Sequence, residues 1–168
     1  MGDRDSEFSE YVDARALVLR RTAYLLCGDW HRAEDLVQTT FAKLYVAWPR
    51  LARGGGVDSY ARKVLVHVSV DESRRAYRRR EQTVDRTPEQ RDDTTRPEDR
   101  VDVLAALDKL PPGQRSVLVL RYWEDQSVAE TARLLGSSPG TVKSQTSKGL
   151  ATLRALLGTD HAALGDHR

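Results

Sequence analysis

Twenty residues in the middle of this chain, Glu81 to Arg100, read EQTVDRTPEQRDDTTRPEDR and hold one aliphatic side chain, Val84, with prolines at 88 and 97. Such a stretch cannot bury enough apolar surface to offset the entropy of ordering it, so it is expected to be a linker. A chain of 168 residues divided there cannot build one central core, and each side must bury its own apolar face. The expected division is a first domain over 6–80, a linker over 81–100, a second domain over 101–158 and a mobile tail over 159–168. Charge follows the same division. Arg62 to Arg80 carries seven Arg or Lys against Asp71 and Glu72, Glu81 to Asp102 carries eight acids against four arginines, and Ser137 to Thr159 carries Lys143, Lys148 and Arg154 with no acid. A basic, acidic, basic order suits two units that face an anion, joined by a segment that does not.

Apolar spacing on both sides is helical, and the β-branched residues fall within that spacing, so the fold class expected is all-α. Val12, Ala16, Leu19, Ala23 and Leu26 give a helix from Phe8 to Cys27, which Gly28 stops. Asp29 caps a second helix that carries Val37, Phe41, Leu44 and Trp48 on one face, and Pro49 is expected to end it. A loop holding Gly54, Gly55 and Gly56 follows, and Asp58 or Ser59 caps a third helix through Tyr60, Val64 and Val68 towards Arg80. Beyond the linker, Val103, Leu104, Leu107 and Leu110 form a short helix stopped by Pro111 and Pro112. Another runs from Gln114 to about Trp123. Ser127 with Glu130 is a capping box for the next, and Gly136 is its left-handed end. Ser138 and Pro139 open a last helix whose buried stripe is Val142, Leu150, Leu153 and Leu157.

The short helix, glycine turn and acid-free final helix form a helix-turn-helix, which sets its second helix in the DNA major groove. Thr141, Lys143, Ser144, Gln145, Ser147 and Lys148 are the residues expected to face DNA. Gln145 has an amide suited to adenine, the lysines reach phosphate or guanine, and the hydroxyls allow close approach. By itself this pattern also fits an ordinary helical hairpin with a solvated face. The lone Cys27 excludes an internal disulfide, and no apolar run is long enough to span a bilayer, so a reducing cytoplasm and no membrane partner are expected.

The segment LPPGQRSVLVLRYWEDQSVAETARLLGSSPGTVKSQTSKGLATLR resembles region 4 of bacterial RNA polymerase sigma factors. AEDLVQTTFAKLYVAW resembles their region 2.2, and SYARKVLVHVSVDESRR their regions 2.3 and 2.4. The order and the linker resemble the small extracytoplasmic-function type, and TVKSQTSKGLATLR is similar to an actinobacterial subgroup labelled the SigE family. The resemblance implies that Glu34, Asp35, Gln38, Phe41 and Lys43 dock on the clamp helices of the largest polymerase subunit, a face that would otherwise read as solvated. Region 4 would meet the flap of the second-largest subunit and the -35 element. The loop from Arg50 to Ser59 and the helix after it would capture an unstacked base of the -10 element, with Tyr60, Arg62, Lys63, His67, Asp71, Arg74 and Arg75 as the candidates. The arginines from Arg74 onward otherwise read as a basic helix end. An anti-sigma factor is a further partner that the family implies.

His67 stands where many relatives have asparagine, Gly54 to Gly56 where many have an Arg-Gly-Asp type loop, and Gln145 where many have arginine. These departures concern which promoter sequence is read. Elements about 17 base pairs apart lie roughly 58 Å apart, and twenty extended residues span at most about 70 Å, so the linker reaches. Two other readings compete. A free-standing helix-turn-helix regulator explains the second domain but gives the first no task. A two-helix metal site of His31, Glu34 and Asp35 with His67, Asp71 and Glu72 would make an enzyme. The expectation is no enzyme, no metal and no cofactor, since no phosphate loop, cysteine cluster or nucleophile motif is present.

Overall fold

The computed structural model describes residues 2–82 and 98–158, with side chains described over 2–81 and 102–158. All regular structure among them is helical, and the chain divides into two compact units, Met1–Glu89 and Gln90–Arg168.

In the first unit α1 (Asp3–Cys27), α2 (Trp30–Gly54) and α3 (Val57–Gln82) pack on one another. Helix α1 begins five residues before the expected Phe8 and ends at Gly28, whose left-handed backbone (φ 78°) lets its N–H reach the Tyr24 carbonyl. Asp29 caps α2 by accepting from the Arg32 N–H at 3.1 Å. The core unites Leu19, Ala23 and Leu26 with Leu36, Val37, Phe41, Leu44 and Trp48, and with Ala61, Val64 and Leu65 of α3. Phe8 lies edge-on to Trp48 at 5.3 Å and to Tyr45 at 5.0 Å.

Pro49 does not end α2, which continues to Gly54. Proline at this position deprives the Tyr45 carbonyl, four residues back, of its helical donor. The Arg4 guanidinium of α1 fills that gap, donating to the Tyr45 carbonyl at 2.9 Å and lying 4.7 Å from the Tyr45 ring centre. The loop expected over 50–59 shrinks accordingly to Gly55 and Gly56, both with positive φ (74° and 79°). Helix α3 begins at Val57, so Asp58 and Ser59 lie inside its first turn rather than before it.

In the second unit α4 (Glu98–Asp108) leads to α5 (Pro112–Leu118), which passes directly into one π-helical turn, Val119–Trp123. Two helices follow, α6 (Val128–Leu135) and α7 (Pro139–Leu157). Arg115 is buried against Asp108 at 2.8 Å, which ties α5 to α4. Val117, Ala132 and Val142 form the heart of the α5–α6–α7 core, with Val128 and Leu135 packed on it. Of the stripe expected on α7, Val142 is fully buried, whereas Leu150, Leu153 and Leu157 are half-buried. The reason is a close crossing at Gly149, where a Cβ would stand 3.0 Å from Leu118 Cδ1. The expected linker falls mostly outside the described residues, but helix reaches into both its ends, at Gln82 and from Glu98. The expected tail, 159–168, lies outside them altogether.

Candidate nucleic-acid interface

The joint between α6 and α7 is built from local bonds. Ser127 Oγ accepts from the Glu130 N–H at 3.0 Å, and the Glu130 carboxylate pairs with Arg133. Gly136 is left-handed (φ 63°), and the Ser137 N–H reaches back to the Ala132 carbonyl at 3.0 Å. Ser138 Oγ then caps α7 by accepting from the Thr141 N–H at 3.1 Å, with Pro139 in the first turn. These bonds fix the angle at which α7 leaves the turn. Val142, Thr146 and Gly149 point inward, and Thr146 turns its hydroxyl back to the Val142 carbonyl at 2.7 Å.

At about 100° per residue, Thr141, Ser147 and Lys148 lie within about 60° of Ser144 on the outer face of α7. All four are exposed. Lys143 is exposed on one edge of that face, and Gln145 is half-buried on the other. The first turn of α7 holds no acid, so its free N–H groups and the two lysines offer one uninterrupted attraction for phosphate.

On α3, Lys63, His67, Asp71, Arg74 and Arg75 fall within about 60° of Tyr60 around the axis. Arg62 does not join them. It lies roughly 160° away, on the side where its charge acts on the Tyr11 phenol of α1. Tyr60 and Lys63 are half-buried, and His67, Asp71, Arg74 and Arg75 are exposed. Arg50 of α2 stands 5.9 Å from the Tyr60 ring centre. Tyr77, 63% exposed inside the run RRAYRRR, and Arg78 extend this surface. Neither was among the expected residues, although an aromatic within an arginine run is a signal for stacking on bases.

The first turn of α3 is gripped from α1. Asp58 Oδ1 accepts from the Tyr11 hydroxyl at 2.8 Å, and Asp58 Oδ2 pairs with Arg15 at 2.5 Å. Burial first, and then the Asp58 bond and charge, hold the Tyr11 phenol well above its ordinary ionisation range. Farther along α3, Glu72 takes the Arg32 guanidinium at 2.7 Å. Burial opposes the Arg32 charge, and Glu72 outweighs it, keeping Arg32 above its ordinary value.

On α2 the outward face centres on Ala42. Asp35 and Gln38 are exposed there, with Lys43 at one edge and Glu34 at the other, where it pairs with Arg20 at 2.8 Å. Phe41 is instead 7% exposed and belongs to the core. Val46, 79% exposed and on the same side of α2 as Ala42 and Pro49, is the apolar residue of that outward face. The metal arrangement sketched from sequence is not formed. Glu34 and Glu72 are engaged by arginines, and among the described residues no group of three His, Cys, Asp or Glu could hold an ion. Among the same residues no helix is long and apolar enough to cross a membrane.

Residues 12–79 match the family described as Sigma-70 region 2, and residues 100–153 that described as Sigma-70, region 4. The RNA polymerase sigma-E factor of Streptomyces antibioticus is 41% identical over 155 residues, covering 91% of this chain and 86% of that protein. The extracytoplasmic-function (ECF) RNA polymerase sigma factor SigM of Mycobacterium tuberculosis is 30% identical, covering 94% of this chain and 80% of that protein. Among solved structures, the sigma factor RpoE in complex with the anti-sigma factor NepR from Bartonella quintana shares the fold. It aligns with a TM-score of 0.71 at 23% identity, over 92% of this chain and 98% of that one. With both regions in order along the chain and relatives matched over most of their length, this chain belongs to the RNA polymerase sigma factors of the extracytoplasmic-function type.

Proposed function

We propose that this protein binds core RNA polymerase and directs promoter-specific initiation, acting by binding rather than catalysis, in the cytoplasm where the polymerase works. Residues 6–80 hold the polymerase and the -10 element, 101–158 hold the -35 element, and 81–100 span between them. The outward face of α2, with Asp35, Gln38, Ala42 and Val46, docks on the clamp helices of the largest subunit. The second unit meets the flap of the second-largest. Ser144, Ser147, Lys148 and Thr141, edged by Lys143 and Gln145, enter the major groove at the upstream element. Tyr60, Lys63, His67, Asp71, Arg74 and Arg75 take the unstacked strand of the downstream one. An anti-sigma factor that covers these faces is a further expected partner, and the sigma factor RpoE of Bartonella quintana, which shares the fold, forms a complex with the anti-sigma factor NepR.

One observation carries the reading. The chain presents a second basic and aromatic face on α3, in a unit separate from the helix-turn-helix. A free-standing regulator has no use for it. In vitro transcription with purified core polymerase over a randomised promoter library tests the whole reading, and initiation at a selected pair of elements is expected only when this protein and core are both present. Tight sequence-specific duplex binding without polymerase, together with no core-dependent initiation, would assign the chain to the free-standing regulators instead.

A further inference from the structure

We propose that Asp58 is a positioning residue for base capture at the downstream element, and that Tyr11 and Arg15 of α1 are the partners through which it acts. The inference rests on the reading of α3 given under Proposed function. Its starting point is the link between α2 and α3. Gly55 and Gly56 both have positive φ, and a Cβ built on either would meet nothing within 4 Å. The link therefore has no side chain of its own to hold α3 in place. The core residues of α3 set its overall seating, and a grip on its first turn refines the rotation of the residues that follow.

Asp58 provides that grip two residues after Gly56 and two before Tyr60. Its two carboxylate oxygens go to two different residues of α1: Oδ1 accepts from Tyr11 Oη at 2.8 Å and Oδ2 from Arg15 at 2.5 Å. Ala61, Val64 and Leu65 already seat α3 in the core, and two bonds at separate points along α1 further restrict the small roll that its exposed first turn retains. Tyr60, two residues on, projects about 160° around the helix from Asp58, away from α1 and beside the link. A side-chain tip roughly 5–6 Å from the axis moves on the order of 2 Å when the helix rolls by about 20°. Displacements of about 1 Å are enough to cost a well-placed group a hundredfold in its task.

The grip is separable from the fold. The Arg15 and Asp58 side chains are 43% and 49% exposed, so their pairing contributes little to stability. Meanwhile α3 stays attached through its core residues and through Glu72 with Arg32. Loss of Asp58 should therefore loosen the aim of Tyr60 without unfolding the unit.

The test uses the full chain assembled with core polymerase. Asp58→Ala removes both bonds, Asp58→Asn keeps an acceptor for Tyr11 but not the charge for Arg15, and Arg15→Asp with Asp58→Arg restores the pair reversed. The probe is a fluorescent single-stranded oligonucleotide carrying the -10 element selected by the library, and core affinity and Tm are measured alongside. Asp58→Ala is expected to weaken strand binding at least tenfold with core affinity within twofold and only a small fall in Tm, from the lost Tyr11 bond. Asp58→Asn should fall between, and the reversed pair should recover most of the loss. Equal losses of strand binding, core affinity and Tm would reduce Asp58 to a structural contact and overturn the inference, as would unchanged strand binding in Asp58→Ala. If the wild-type holoenzyme itself fails to bind the strand, the reading of α3 falls and takes this inference with it.

Discussion

Gly149→Ala sets two effects of similar size against each other, and the structure decides between them. Glycine inside a helix is worse than alanine by about 0.8–1.0 kcal/mol, so the substitution should strengthen α7 if there were room. There is not. The new methyl would stand 3.0 Å from Leu118 Cδ1 and 3.2 Å from Leu118 Cγ, where carbons ordinarily rest roughly 3.5–4.0 Å apart. Leu118 is 4% exposed, so it can retreat only into its neighbours. Overpacking of that kind costs typically 1–3 kcal/mol. The net expectation is a loss of about 1 kcal/mol. In a Leu118→Ala background the obstructing atoms are gone, and the next atom, Gln114 Cβ at 3.5 Å, is an ordinary contact. There the same Gly149→Ala should stabilise by about 1 kcal/mol, the full helix-propensity gain. Amide hydrogen exchange in peptides from α5 measures both, because those amides open only with the second unit. A Gly149→Ala effect of the same sign in both backgrounds would refute the close-crossing argument.

Three further expectations separate core from surface. Phe41→Ala should cost about 3–5 kcal/mol of stability in the first unit, as burial dictates, whereas Val46→Glu should leave Tm within a degree or two and weaken polymerase binding at least tenfold; a specific loss of binding in Phe41→Ala at unchanged Tm would reverse these assignments. Lys143→Ala and Lys148→Ala should each lower the salt dependence of upstream-element binding by about one counterion, read from the slope of log affinity against log salt, and an unchanged slope would remove that lysine from the phosphate contacts. In a spectrophotometric titration, one tyrosine absent from Tyr11→Phe should ionise above the others. Its raised value means that the folded state holds the proton more tightly, so the contribution to stability is full below about pH 10 and is lost as pH rises beyond it.

The features legible in the sequence were those whose causes are local. Asp29, Ser127, Gly136 and Ser138 act on groups three to five residues away, and each sits where a reader of the chain would put it. Pro49 was misjudged because its compensation comes from Arg4, 41 residues distant. No local pattern announces that donor. For Phe41 the apolar spacing, which groups it with Val37, Leu44 and Trp48, agrees with its burial, whereas the docking role implied by the family resemblance does not. Arg62 lies opposite its basic neighbours on α3, as helical spacing alone already shows; what the spacing does not show is that Tyr11 of α1 is what it faces there. The crossing at Gly149 comes from a contact between helices, with Leu118 of α5, which apolar periodicity does not encode.

The two-glycine link carries one more consequence. Ordinary surface connections absorb an extra residue with little effect, because the slack is taken up in the loop. Here α2 runs on to Gly54 and α3 starts at Val57, so there is no slack to take up. One inserted residue must either be left unwound or advance the winding of α3 by about 100°, carrying the arginine and tyrosine face a quarter turn out of phase with α2. The spacer therefore acts as a phase-setting element, in which its length sets the winding and its two glycines supply the left-handed backbone.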